Sequence, residues 1–120
     1  LSADKKRYAK GDAVKVTVKG RNLRLVEALS FALPYDPKDL EFVGVEVKNM
    51  KNMENLTNDR LHTNGTKALY PTFVNIGDKE PVEGTSELFV LKFKARRDMK
   101  FQPKLTDGIV VDKKLNTKKL

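Results

Sequence analysis

The sequence predicts an all-β sandwich. Three observations carry that prediction. Short apolar segments alternate with a period of two, as half-buried strands do. Gly, Pro, Asn and Asp punctuate them at roughly 8–12-residue intervals. Nowhere in the 120 residues does a sustained helical stripe appear.

The elements follow in order. Ala13 to Lys19 (AVKVTVK) alternates, with Val14, Val16 and Val18 facing a core and Gly11-Asp12 and Gly20 as flanking turns. Glu27 to Leu33 alternates large and small: Leu29, Phe31 and Leu33 point one way, Ala28, Ser30 and Ala32 the other. Pro34 to Pro37 reads as a turn, because both prolines fix φ and lack a donor, and Asp36 is placed to cap it. Leu40 to Val47 is a third strand. Residues 48–66 are a polar excursion rich in Asn, read as a helical turn plus loop. Ala68 to Ile76 returns to strand character, and Pro71 predicts an edge position or a bulge there. Gly77 to Gly84 reads as a loop. Leu88 to Ala95 (LFVLKFKA) is the strongest strand, with Phe89, Leu91 and Phe93 inward and Leu88, Val90, Lys92 and Lys94 opposite. Phe101 to Leu105 and Gly108 to Asp112 complete the set. No internal repeat or linker interrupts the chain, so residues 1–120 are expected to form one module. Leu1 stands where an initiating Met would, which predicts a module excised from a larger multimodular protein.

Composition removes several function classes. There is no Cys, hence no disulfide, thiolate metal site or cysteine nucleophile, and a single His, His62, makes a histidine-relay enzyme improbable. His62 sits beside Asn64-Gly65 and reads as an exposed loop residue. No spaced acid/base pair, Asp-x-Asp-x-Asp-Gly calcium loop or Gly-rich phosphate loop occurs. Asn55-Leu56-Thr57 and Asn64-Gly65-Thr66 match the glycosylation triplet, a pattern short enough to arise by chance. No apolar run approaches the roughly 18 residues of a membrane span.

The 24 Lys and Arg exceed the 16 Asp and Glu, for a net charge of +8. Lys5-Lys6-Arg7 lies at one terminus, Lys113-Lys114 and Lys118-Lys119 at the other, and the interior charges are mixed. The terminal runs read first as solvated ends, then as steering toward an acidic protein. Nucleic acid is disfavoured, since no ribonucleoprotein motif, zinc finger or basic helix is present.

One face departs from the sandwich rule of apolar inward, polar outward. Its outer positions include Ala28, Ser30 and Ala32, then Leu88 and Val90, with Tyr70 or Phe73 added according to register. If these strands are neighbours, they form a flat aliphatic surface edged by Lys92 and Lys94, suited to protein docking or covered by another segment.

The order of these pieces resembles the cohesin family. Gly11 to Val18 (GDAVKVTV) is similar to the opening cohesin strand, and Ala28 to Val43, through Tyr35-Asp36-Pro37 and Leu40-Glu41-Phe42, to the stretch after it. Gly77, Pro81-Val82, Gly84 and Leu88 to Ala95 are similar to the later segment, and Gly108 to Asp112 to the closing strand. The resemblance implies a jelly-roll-like sandwich of about nine strands. It implies a non-catalytic module that binds a dockerin, with calcium carried by the dockerin and no cofactor here. It also implies a secreted setting among glycoside hydrolases of a clostridial, Gram-positive kind, and contacts on one sheet holding 28–33, 68–76 and 88–94. The expected contacts are Ser30 and Ala32 for close approach, Phe73, Leu88 and Val90 for apolar burial, and Lys92 for a partner carboxylate. On that reading Val90→Asp weakens binding by about 2 kcal/mol. The rival readings are a carbohydrate-binding module, which lacks Trp and has only Tyr8, Tyr35 and Tyr70 to offer, and a structural spacer.

Overall fold

In the computed structural model, β3 (Ala13–Tyr35) runs through both layers of a sandwich and organises the rest. Residues 2–50, 53–61, 66–75, 82–104, 106–112 and 117–119 are described. The remaining strands are β1 (Ser2–Ala3), β2 (Arg7–Tyr8), β4 (Leu40–Val47), β5 (Glu54–Asn55), β6 (Asn58–Leu61), β7 (Lys67–Tyr70), β8 (Thr72–Val74), β9 (Val82–Ala95), β10 (Met99–Lys100), β11 (Thr106–Asp112) and β12 (Thr117–Lys119).

The first half of β3 pairs with β1 on one side and β9 on the other, and β9 pairs with β4. The second half pairs with β11 on one side and with β7 and β8 on the other; β12 and the β5–β6 segment form the outer edges. The two halves of β3 therefore lie in opposite layers. The ladder between β3 and β9 continues around the corner, so one ten-stranded sheet folds back on itself; β2 and β10 form a separate pair.

The corner explains three irregularities. Register shifts between β3 and β9 fall at Val18/Lys19, Gly20/Leu23 and Leu23/Val26. Gly84, opposite Leu23, takes φ 90 and Leu25 takes φ 48, the left-handed region that turns the chain from one layer to the other. The same shifts leave Leu88 unpaired between Phe89 and Glu87, so its side chain turns into the core rather than opposite Phe89. Gly20 makes room for it: a Cβ there would lie 3.1 Å from Leu88 Cδ1 and 2.5 Å from Leu23 Cδ1.

Other expectations need correction. The described part of the excursion 48–66 holds an edge strand, β5–β6, where a loop was expected, because Asn55, Leu56 and Asn58 to Leu61 keep one unbroken register along 67–74. Pro71 lies in an inner strand without a bulge. Its carbonyl accepts the Phe31 amide at 3.2 Å, and the ladder loses only the bond its missing N–H would have made. Phe101 to Lys104 is not a strand; the chain pairs one step earlier, at Met99 and Lys100. His62, Asn64 and residues 76–81 and 113–116 lie outside the described residues.

The alternation read from the sequence does build the core. Val14, Val16, Phe89, Leu91 and Phe93 from one layer meet Leu29, Phe31, Leu33, Leu69 and Phe73 from the other, all buried. Phe89 is the hub, 4.6 Å from Phe73 and 6.3 Å from Phe31 by ring centroid. At one end Tyr35 packs edge-on to Phe93 at 5.3 Å. Its hydroxyl donates to both Asp59 oxygens at 2.8 Å, and Lys67 Nζ sits 2.7 Å from Asp59, so the buried phenol is satisfied. Asp36 caps a turn as expected, its Oδ1 accepting the Lys38 amide at 2.8 Å, but the turn spans 36–39 and Pro34 stays in β3 opposite Ala68.

A pH dependence follows. Burial, reinforced by a 2.7 Å hydrogen bond to Asp4, pushes the Tyr8 phenol up to about 12. Burial, then the bond to Asp59, raises Tyr35 further. A raised phenol binds its proton more tightly folded than unfolded. That stability is complete below the ordinary tyrosine value near 10 and declines as pH climbs toward 12. The urea midpoint is expected to fall across this window, and Tyr8→Phe is expected to flatten the fall; an equally steep fall in that variant would disprove the assignment.

Candidate docking face

The layer holding the second half of β3 presents an unusual outer surface. Register sets it. Leu29 pairs with Phe73 and Val110, all on the inner side, so the alternate residues face out. Across the sheet, Ile109, Ser30 and Thr72 share one row, and Val111, Ala28, Val74 and Glu54 another. Ser30 Oγ and Thr72 Oγ1 lie 3.0 Å apart, which fixes both hydroxyls on this side. Tyr70 opposite Asn58 extends the face, and Leu56 and Ile109 at its rims are 46% and 40% exposed.

The relief comes from residue size. Ala28, Ser30 and Ala32 form a low central column, open at half-buried Ala28 and Ser30 and covered at Ala32, which is 3% exposed. Val111 and Ile109 stand on one side, Tyr70, Thr72 and Val74 on the other. Neighbouring strands lie about 4.8 Å apart, so these ridges bound a trough about 10 Å wide. A partner element can approach the backbone closely and bury apolar side chains there, because no charged side chain stands in the column.

The opposite layer is mostly charged outside. Its outward positions carry Lys15, Thr17, Lys92, Lys94, Glu41 and Glu46, with Val90 covered among them and Val43 exposed beside Lys15 and Lys92. Glu46 is held by Lys48 at 3.2 Å and Lys92 at 3.3 Å, and both lysines draw its carboxyl below the ordinary glutamate range.

The six expected contacts therefore separate. Ser30 and Ala32 lie on the trough. Phe73 is inward and fully buried, because it pairs with Leu29 rather than Ser30; Tyr70 takes the outward place. Leu88 is in the core through its bulge. Val90 and Lys92 are on the other layer, Lys92 engaged by Glu46 and Val90 6% exposed between Thr17 and Glu46. The six do not share one face, because β9 pairs with the first half of β3 rather than with 28–33. Thr72, Val74, Ile109, Val111 and Leu56, which the sequence reading does not name as contacts, lie on the face of Ser30 instead. The unbroken apolar run Ile109-Val110-Val111 carried a signal, since a strand facing water on one side rarely stays apolar on both.

Val90→Asp accordingly changes meaning. It places a carboxylate in a buried position beside Glu46, and the expected result is a loss of about 2 kcal/mol or more in folding stability. The affinity of the folded protein should stay within about twofold. Urea unfolding and a titration of the same sample separate the two effects.

Among the described residues no group of three or more His, Asp or Glu converges as a metal site. The cohesin-domain family model matches residues 1–120. The chain belongs to the cohesin family. No curated protein matches its sequence closely. Solved structures match its fold. A chain of the CaDoc0917–CaCohA2 complex has a TM-score of 0.70 at 21% identity, over 93% of this chain and 85% of that one. A chain of the Coh-OlpC–Doc435 complex, a type I cohesin–dockerin complex from Clostridium thermocellum, has a TM-score of 0.66 at 13% identity, over 98% and 88%. A non-cellulosomal cohesin from the hyperthermophilic archaeon Archaeoglobus fulgidus has a TM-score of 0.62 at 20% identity, over 91% and 74%. The all-β, jelly-roll-like sandwich expected from the sequence is this cohesin's fold.

Proposed function

We propose that this cohesin is a non-catalytic docking module whose trough, lined by Ala28, Ser30, Ala32, Tyr70, Thr72 and Val74, binds a dockerin-type partner. The observation that carries the reading is the outer face of the β11–β3–β7/β8 layer, apolar and small where a solvated sheet would be polar. Two of the similar structures are complexes whose names pair a cohesin with a dockerin. In this reading residues 1–120 are one module of a larger secreted protein, the partner belongs to a glycoside hydrolase system, and calcium is held by the dockerin. A net charge of +8 speeds encounter with an acidic partner. Tyr8 and Tyr35 are buried, so the flat aromatic platform of a carbohydrate binder is not supported.

The test is calorimetric titration with dockerin-containing fragments, with calcium and then with chelator. The expected result is one-to-one, calcium-dependent binding. Silence from the folded domain against every fragment would leave a spacer or a glycan binder in its place.

A further inference from the structure

We propose that the basic cluster on the β2–β10 pair is a second binding surface, separate from the trough, and that it takes an acidic polypeptide segment. The pair is anchored from beneath. Tyr8 is 3% exposed, and Phe101 lies 6.1 Å from Phe93 by ring centroid while its amide donates to the Lys6 carbonyl at 3.3 Å. Around these anchors the side chains of Lys5, Lys6, Arg7 and Lys100 are exposed. Lys100 stands directly opposite Arg7 in the register. Like charges facing each other across an antiparallel pair cost stability, and among the described residues no carboxylate is ion-paired to either.

The nearby carboxylates are hydrogen-bonded elsewhere, although Asp4 also feels the charge of Lys5. Asp4 accepts the Tyr8 hydroxyl at 2.7 Å and the Lys15 amide at 3.2 Å; Asp12 and Asp98 accept the Ala9 and Lys10 amides, each at 2.9 Å. The ion pairs found among the described residues lie elsewhere, at Glu46, Asp59 and Asp39. The cations surround a concave surface. One cleft of about 490 Å3 is lined by Lys6, Arg7, Lys100 and Gln102. A second, of about 450 Å3, shares Lys6 and Gln102 and adds Asp4, Lys5, Phe101 and Pro103.

The chemistry around the clefts selects the partner. Stacking a base or a sugar needs a freely exposed aromatic face; Tyr8 is buried, and Phe101 is half-buried with its ring packed edge-on to Phe93, which leaves no stacking platform. Entering a bilayer needs exposed large apolar groups, and those described, Val43, Val47, Leu56 and Ile109, lie away from the cluster. What is left is a shallow set of mostly lysine point charges with Gln102 as a neutral donor and acceptor. It suits a flexible run of carboxylates.

The test is a fluorescence-anisotropy titration of the full chain with a labelled oligoglutamate of about ten residues at about 0.05 M and 0.3 M salt. The expected result is salt-sensitive binding that falls at least about tenfold in Lys6→Glu/Arg7→Glu/Lys100→Glu and in the milder Arg7→Gln/Lys100→Gln. A control with equal charge change at the far end of the sandwich, Lys19→Glu/Arg21→Glu/Lys48→Glu, should stay within about twofold. Thermal unfolding of each variant verifies that these exposed positions leave the fold intact. An equal loss in the control would reduce the effect to diffuse charge and overturn the site. So would no binding of oligoglutamate at low salt, including the case in which a single-stranded oligonucleotide or anionic vesicles bind instead. Dockerin affinity serves as a separate readout, because none of these substitutions touches the trough.

Discussion

Phe89→Ala is expected to cost about 4 kcal/mol of folding stability, a large share of the roughly 5–15 kcal/mol that holds a domain of this size together. Phe89 is fully buried and joins the layers: it sits on β9, and its ring meets Phe31 and Phe73 of the opposite layer. Truncation removes apolar transfer energy and leaves a cavity that neighbours pinned in two ladders cannot fill. Urea unfolding measures it directly. A cost below about 1.5 kcal/mol would mean that the layers repack freely and that the Phe89 cluster does not set their spacing.

Ser30→Glu is expected to lower dockerin affinity about 100-fold, near 3 kcal/mol, while leaving folding stability almost unchanged. Ser30 lies mid-trough, half-exposed, with its hydroxyl 3.0 Å from Thr72 Oγ1. A longer side chain there fills the low column that permits close approach, and its charge would have to be desolvated against Ile109 and the partner. In the free protein the same carboxylate reaches water at little cost. Calorimetry on Ser30→Glu and on Val90→Asp forms a matched pair: binding should collapse in the first and persist in the second. The opposite pattern would move the docking surface to the layer of Lys92 and Glu46.

Much of the fold was legible because a sheet writes its two faces into the chain with period two. Val14-x-Val16-x-Val18, Leu29-x-Phe31-x-Leu33 and Phe89-x-Leu91-x-Phe93 each named their inner residues correctly. Ala28, Ser30 and Ala32 named an outer face that is small where it should be polar. Pro71 misled because a missing N–H removes one bond of a ladder, a loss an inner strand tolerates when the carbonyl still pairs. The Asn-rich stretch misled because an edge strand needs backbone hydrogen bonds more than apolar side chains; Asn58 to Leu61 gain theirs from Lys67 to Tyr70.

The basic cluster shows the same division. Lys5-Lys6-Arg7 is plain in the sequence and reads there as a solvated end. Only the fold brings Lys100 opposite Arg7 and turns the neighbouring carboxylates toward backbone amides.

By itself, then, the sequence determined the all-β class, the inner residues of the three most regularly alternating segments and the cohesin family, because these depend on local alternation and on the order of the pieces. The tertiary structure alone decided which strands are neighbours. One bulge at Leu88 reversed a side chain, and one corner at Gly20 to Val26 sent the two halves of β3 into opposite layers. Pairing partners are chosen by long-range ladders and by closure of a shared core, and no short window of residues records that choice. Ser30 and Ala32 therefore share a face with Thr72, Val74 and Ile109, across the core from Val90 and Lys92.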